Sequence, residues 1–192
     1  MIKNIIFYSF LGLTVITLFY YFTATSSSEY SESITKHHEE QERHLTEGDS
    51  LNITKKLNYF AVNEKYITTA KVTLINPQNS LNVRFTENED SVLYIRIAYL
   101  EFKLNNVSHL LTLFKNNANN DYILPFTDST NSKQTHKTGR YLPINFHYQE
   151  YIDIDFNMAY NPYCAYNPEY ACAITPKENH IPINIRAGQL RY

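Results

Sequence analysis

Two asparagines, Asn105 and Asn106, separate the strongest strand-like run of the chain, Val92–Leu104 (VLYIRIAYLEFKL), from the run that follows it, Val107–Lys115. A two-residue link of this kind is a β-hairpin turn, because asparagine tolerates the left-handed backbone that the twist of the flanking strands demands. An antiparallel pair therefore stands at the centre of the fold. The rest of the chain agrees. Tyr66–Ile75 alternates and is rich in β-branched residues, Asn82–Thr86 is a short strand, and Tyr122–Phe126 is another that ends at a proline. Gly139–Phe146 resumes as a strand. Tyr151–Phe156 puts Ile152, Ile154 and Phe156 on one face and Asp153 and Asp155 on the other, and Pro182–Tyr192 returns as a final strand with room for a bend at Ala187-Gly188. Asn76-Pro77-Gln78-Asn79, Asn88-Glu89-Asp90 and Asn116–Asp121 read as turns, and Asp128–Thr138 as a mobile polar loop. About eight or nine short strands with little helix predict a mainly β fold, an antiparallel barrel or sandwich over residues 51–192.

The chain before residue 51 is of a different kind. Ile5–Phe22 carries no charge and follows Lys3. Its residues would span about 27 Å as a helix, close to the hydrocarbon thickness of a bilayer. Tyr20 and Tyr21 stand where an interfacial aromatic belt belongs. Residues 1–23 thus read as an uncleaved signal-anchor that crosses the membrane through residues 5–22, with the N-terminus inside and the remainder outside. A cleaved signal peptide, giving a secreted protein, is the alternative, although Thr23-Ala24-Thr25 lacks a clean cleavage pattern. A buried core helix is the plainest third reading. No cysteine follows the segment closely enough for a lipoprotein anchor. Residues 24–50 hold a serine-rich polar linker, Ala24–Ser33, and a short amphipathic helix, Ile34–Glu47, stopped by Gly48. His37, His38 and His44 lie on that helix as a conceivable metal cluster, set against the ordinary reading of a solvated charged helix.

Composition excludes several functions. A net charge of −2 without a basic stripe argues against nucleic acid as a partner. With 4 glycines there is no GxGxxG or GxxxxGK phosphate loop. No GxSxG nucleophile elbow occurs either. No cofactor is expected. Asn52-Ile53-Thr54 and Asn106-Val107-Ser108 fit the glycosylation sequon, a pattern with many false positives.

Residues 157–179 are the most informative. Pro162 and Pro168, each preceded by an asparagine, exclude a regular helix. Tyr160, Tyr163, Tyr166 and Tyr170 supply large amphipathic side chains, so an ordered irregular loop is expected. Together the strings GRYLP (Gly139–Pro143) and DFNMAYNPYCAY (Asp155–Tyr166), with Cys172, Pro176, Glu178-Asn179 and Ala187-Gly188, resemble the bacterial and archaeal family of unknown function DUF1684. The matched blocks cover about residues 139–192, with a looser pattern reaching back to about His37. The resemblance implies that Arg140, Asp155, Asn157, Tyr160, Asn161, Cys164, Tyr166, Cys172, Glu178 and Asn179 occupy the family's signature positions. No activity is established for that family, so the resemblance carries no catalytic role.

Seven residues lie between Cys164 and Cys172. Outside the membrane a disulfide between them is the leading reading. Buried free thiols, or metal ligation with His180 as third ligand, are the alternatives; the CxxC spacing of zinc sites is missing and no metal site is assigned. Asp153 and Asp155 share a strand face. Asp155 reads either as a ligand-binding carboxylate with Arg140 as its ion-pair partner, or as a cap for backbone N–H groups of the loop. Glu178-Asn179 has the same pair of readings. The function that fits best is a membrane-anchored extracytoplasmic β domain whose tyrosine-rich loop binds a small-molecule or protein ligand. An enzyme using Arg140, Asp155 and the Cys164 region is the alternative, and a structural envelope protein whose loop is core packing is the third. Convergence of Arg140, Asp155 and Glu178 in a closed concave pocket would favour the enzyme.

Overall fold

Asn105 and Asn106 both take left-handed backbone, at φ 52° and 62°, and close the hairpin between β3 (Leu93–Leu104) and β4 (Val107–Asn116). The computed structural model that shows this describes residues 2–47, 53, 55–76, 82–84, 93–170, 172 and 174–192, with backbone alone for 2–7, 9, 10, 24, 82–84 and 93. The hairpin register runs from Leu104↔Val107 to Tyr94↔Asn116, with one extra residue, Ile97, accommodated as a bulge between Arg96 and Ala98. Past the bulge Ala98, Leu100, Phe102 and Leu104 face inward, and Tyr99 points to solvent.

The other strands are β1 (Ile67–Leu74), β2 (Asn82–Arg84), β5 (Tyr122–Asp128), β6 (Arg140–Pro143), β7 (Tyr151–Asp155) and β8 (His180–Ile181). They form one sheet in the order β6-β5-β4-β3-β1-β7, with β2 paired to β3 and β8 paired to β5. All pairings are antiparallel except β5 with β8. The result is an antiparallel half-barrel with an N-terminal helix, a single curved sheet rather than a closed barrel or a two-sheet sandwich. Its hollow is filled by Leu100, Phe102, Leu111, Leu124, Phe126, Ile154, Phe156, Ile181 and Ile185. Phe156 packs edge-on against Phe126 with ring centres 5.1 Å apart.

Three expectations from the sequence are corrected. The segment Ala24–Ser33, expected as a serine-rich polar linker, is helical. One helix, α1, runs unbroken from Ile2 to Glu47, and the expected short helix Ile34–Glu47 is its last part. No glycine or proline interrupts residues 13–47. The serine and threonine hydroxyls bond back along the helix, as Thr25 Oγ1 does to Tyr21 O at 2.9 Å and Ser33 Oγ to Tyr30 O at 2.7 Å. Such hydroxyls weaken an isolated helix, but packing of Ile34 and His38 on the domain overrides that preference. Secondly, Pro182–Tyr192 is not a strand. Strand structure there stops at Ile181, and the carbonyls beyond it bond to a buried arginine instead. Thirdly, the polar stretch 128–138 is anchored. Asp128, Thr130, Thr135 and His136 are buried, Gln134 N and Thr135 N donate to Thr130 O, and the hydroxyls of Thr130 and Thr135 lie 2.9 Å apart.

Among the described side chains no helix is long and apolar enough to cross a membrane. The run Ile5–Phe22 begins among residues whose side chains lie outside that description. The turns expected at 76–79 and 88–90 also fall wholly or largely outside the described residues.

Candidate functional site

The signature residues do not gather in one place. They form several separate polar contacts, some tying an irregular segment to the sheet and one, around Gln189, tying two irregular segments to each other.

Arg140 opens β6 and is completely buried. Gly139 precedes it at φ +110°, where a Cβ would meet Phe126 O at 2.6 Å and the hydroxyl of Thr175. Only glycine lets the chain enter β6 along this path. The guanidinium lies over the ring of Phe126, 5.0 Å from its centre. Its Nη2 donates to Asp128 Oδ2 at 2.7 Å and to Ile185 O at 2.9 Å, and its Nη1 donates to Ala187 O. Asp128 in turn accepts from Thr130 N at 2.6 Å. Burial pulls the guanidinium pKa down, and the Asp128 carboxylate opposes the pull. The expected Arg140–Asp155 ion pair is therefore absent: Asp128, at the end of the neighbouring strand β5, takes its place.

Asp155 closes β7 and caps the 3₁₀ turn Phe156–Met158 through Asn157 N at 2.9 Å. Its other oxygen accepts from the Tyr30 hydroxyl of α1 at 2.7 Å. Buried Asn157 donates from Nδ2 to Asn63 O at 3.0 Å and accepts from Asn63 N at 3.0 Å, and His38 Nε2 lies 2.8 Å from Asn157 O. His38 also stacks flat on Tyr59, ring centres 3.7 Å apart. These contacts join α1, the 59–63 segment and β7. Burial together with the Asp155 contact raises the Tyr30 pKa well above that of a free phenol, so Tyr30 stays protonated as a donor. Asp153 is likewise engaged, accepting from Thr69 Oγ1 at 2.7 Å.

Burial lowers the pKa of His38, of His37 and of His136. Folding thus favours neutral imidazoles, and the stability they contribute is present above about pH 6.5 and is lost as pH falls through the folded-state values. Chemical denaturation of the wild type should show stability declining below about pH 6.5, with a shallower decline in His38→Gln. An unchanged slope in that variant would remove His38 from the account.

Glu178 and Asn179 are adjacent and do different things. Glu178 faces outward and pairs with Arg96 at 2.7 Å, a contact that lowers its carboxyl pKa against the opposing effect of partial burial. Asn179 is fully buried between β4 and β5, with Oδ1 accepting from Thr112 N at 2.8 Å and Nδ2 donating to Thr112 O at 2.9 Å and to Pro125 O at 2.7 Å. Arg140, Asp155 and Glu178 are thus each committed to different partners and do not converge.

The tyrosine-rich loop divides into an inner and an outer part. Tyr141 and Tyr160 exchange backbone hydrogen bonds at 2.9 and 3.0 Å and meet edge to face. Buried Asn161 is held by Gln189 Oε1, which also accepts from the Tyr166 hydroxyl at 2.6 Å. Burial raises the pKa of Tyr141, Tyr160 and Tyr166. Tyr163, Tyr170 and Ile174 are exposed, at 57%, 37% and 60%, and the rings of Tyr163 and Tyr170 lie 5.9 Å apart. A disulfide joins Cys164 to Cys172, their Cα atoms 5.2 Å apart. Closing a loop this short should stabilise the fold by about 2–3 kcal/mol on the chain-entropy model. Cys164→Ser, Cys172→Ser and the double variant should therefore lose similar amounts in urea denaturation, since each breaks the same bond. Additive losses would contradict this.

The histidine weighed as a third ligand, His180, sits on β8 with Nδ1 3.0 Å from Thr127 Oγ1. His136 takes that place instead, with one ring nitrogen and the two sulfurs all within 4.8 Å of one another. Among the described residues no other group of three His, Cys, Asp or Glu is set to hold a metal, so His37, His38 and His44 form no such cluster. Nothing local in the sequence marks Asp128, Tyr30 or His136 as partners of these contacts. The one sequence hint was for Gln189, which directly follows the Ala187-Gly188 block.

Comparison with known proteins agrees with the resemblance in the sequence. The model of the family DUF1684, described as a protein of unknown function, matches residues 54–190. No curated protein matches. The fold is similar to the solution NMR structure of the uncharacterised protein from gene locus rrnAC0354 of Haloarcula marismortui, with a TM-score of 0.69 and 26% sequence identity. The match covers 86% of this chain and 96% of that one.

Proposed function

The chain belongs to the DUF1684 family, and we propose that it is a membrane-anchored extracytoplasmic module whose half-barrel presents the tyrosine-rich loop to a small-molecule or protein ligand. The observation that carries this reading is the first half of α1. Leu13, Ile16, Leu18, Phe19, Tyr21 and Phe22 are exposed around the helix at 60–74%, with none of the described residues of the domain over them. A helix that is apolar all round needs an apolar surrounding, and a bilayer supplies it. The helix continues without a break to Tyr30, Ile34 and His38, which dock on the domain. The stalk between Phe22 and Tyr30 is then rigid and about 12 Å long. Lys3 before the apolar run favours an inside N-terminus, and the disulfide suits an oxidising exterior. The signature side chains serve as scaffold, which leaves Tyr163, Tyr170 and Ile174, among the described residues, as accessible apolar surface of the loop.

Protease added to intact cells should remove the domain beyond about Ser28 while the first part of α1 stays with the membrane fraction. A domain protected from external protease would sink the topology. Ligand screening by thermal shift tests the surface, with Tyr163→Ser/Tyr170→Ser as the variant that loses the shift while keeping its stability within about 0.5 kcal/mol.

A further inference from the structure

We propose that Cys164, Cys172 and His136 form a redox-gated binding site for a thiophilic divalent cation of the zinc class, closed when the disulfide is formed and opened by an external dithiol. The proposal is independent of the membrane anchor and of the tyrosine surface.

The geometry meets the demands of the metal. The two sulfurs and one imidazole nitrogen lie within 4.8 Å of one another. Tetrahedral zinc, with Zn–S of about 2.3 Å and Zn–N of about 2.0 Å, needs sulfurs about 3.8 Å apart and each sulfur about 3.5 Å from the nitrogen. Those separations fit inside the observed envelope. Parting the bonded sulfurs to that distance takes a movement of less than about 2 Å. Side-chain rotation supplies most of such a movement.

Two further observations support a site that outlasts reduction. His136 is buried, and Thr138 fixes the orientation of its ring at Nδ1, with Oγ1 3.0 Å away and N donating at 3.4 Å. The histidine loop is also tied to the cysteine loop by bonds that do not involve sulfur. Thr175 donates to Thr138 O from N at 3.3 Å and from Oγ1 at 2.8 Å. When the disulfide opens, Cys172 therefore remains three residues from an anchor that also holds His136. Two thiolates and a neutral imidazole balance the charge of a divalent cation, and three protein ligands leave a fourth position for water or a further ligand.

The chemistry balances. A dithiol gives up two electrons and two protons: its own S–S bond forms as the Cys164–Cys172 bond breaks to two thiols. Metal binding then releases the two thiol protons. In reverse, a small-molecule disulfide takes two electrons from the metal-bound thiolates and two protons from solvent to become two thiols, the Cys164–Cys172 bond re-forms, and the cation is freed.

The test uses the full chain in detergent, reduced with a phosphine and titrated with Co²⁺ and then Zn²⁺. One equivalent of cobalt should bind with a thiolate charge-transfer band in the near ultraviolet, zinc should displace it, and an added disulfide should release it. The oxidised protein should bind none. His136→Ala should weaken binding at least about tenfold, whereas His180→Ala should leave it unchanged. X-ray absorption on the zinc-loaded wild type needs no variant and should show two sulfurs and an imidazole. Binding no stronger than in Cys164→Ser/Cys172→Ser, equal affinity in His136→Ala, or a zinc shell without sulfur would overturn the proposal.

Discussion

Arg140→Met should destabilise the fold by about 3–5 kcal/mol, the cost of leaving one member of a buried ion pair alone. Methionine fills much of the volume and keeps the contact with Phe126, so the loss reports polar pairing rather than a cavity. Asp128 would remain buried without its cation, and the carbonyls of Ile185 and Ala187 would lose their donors. The double variant Asp128→Asn/Arg140→Met should recover part of the loss, because the uncompensated charge is gone while an acceptor for Thr130 N is kept. A coupling of about 1–3 kcal/mol between the two positions is expected from urea denaturation of the full cycle. An Arg140→Met loss under about 1 kcal/mol would show that the C-terminal segment is held by something else.

The strands were legible in the sequence and the long-range polar contacts were not. Alternation and turn chemistry act over a few residues, so Val92–Lys115 declares its hairpin and Asp153 and Asp155 declare their face. The partner of a buried arginine is chosen by the sheet. Asp155 lies 15 residues from Arg140 in sequence and Asp128 lies 12, and nothing local separates them. The pairing β5–β6, with Phe126 opposite Arg140, brings Asp128 near and settles the matter. The same cause explains the stretch 128–138: its polarity reads as exposure until a buried guanidinium gives Asp128 a reason to be inside. The failed final strand has a related origin. The carbonyls of Ile185 and Ala187 are two residues apart, as in an extended chain, but Arg140 takes both and no ladder forms. The helical linker is not legible in the sequence because hydroxyl residues lower intrinsic helix preference, while the docking of Tyr30 and Ile34 that overrides it is tertiary. Of the candidate site, the disulfide and the tyrosine loop could be read, and the histidine beside the sulfurs could not.

Asn179→Leu should be as damaging as the loss of Arg140, at about 3–5 kcal/mol, although no charge is involved. The reason lies in the register of β4 and β5. Their ladder consists of Phe114↔Ile123 and Lys115↔Tyr122, and its continuation would set Thr112 opposite Pro125. Proline has no N–H to offer, so the ladder cannot continue there. The side-chain amide of Asn179 enters the gap and supplies the missing acceptor and donors to Thr112 and Pro125. Leucine has nearly the same volume but leaves one N–H and two carbonyls buried without partners, each worth about 1–3 kcal/mol. Asn179→Asp separates this account from simple packing. Its carboxylate would face two carbonyl oxygens, which raises its folded-state pKa above the unfolded value near 3.9. The folded state then binds the proton more tightly, so the stability this variant has lost relative to wild type should be smallest below about pH 4 and should grow as pH rises through the raised pKa. Denaturation of wild type, Asn179→Leu and Asn179→Asp across that range should show the aspartate variant approaching wild type only at the acid end. A pH-independent gap for Asn179→Asp would mean that the amide fills space between the strands and does not stand in for the backbone ladder.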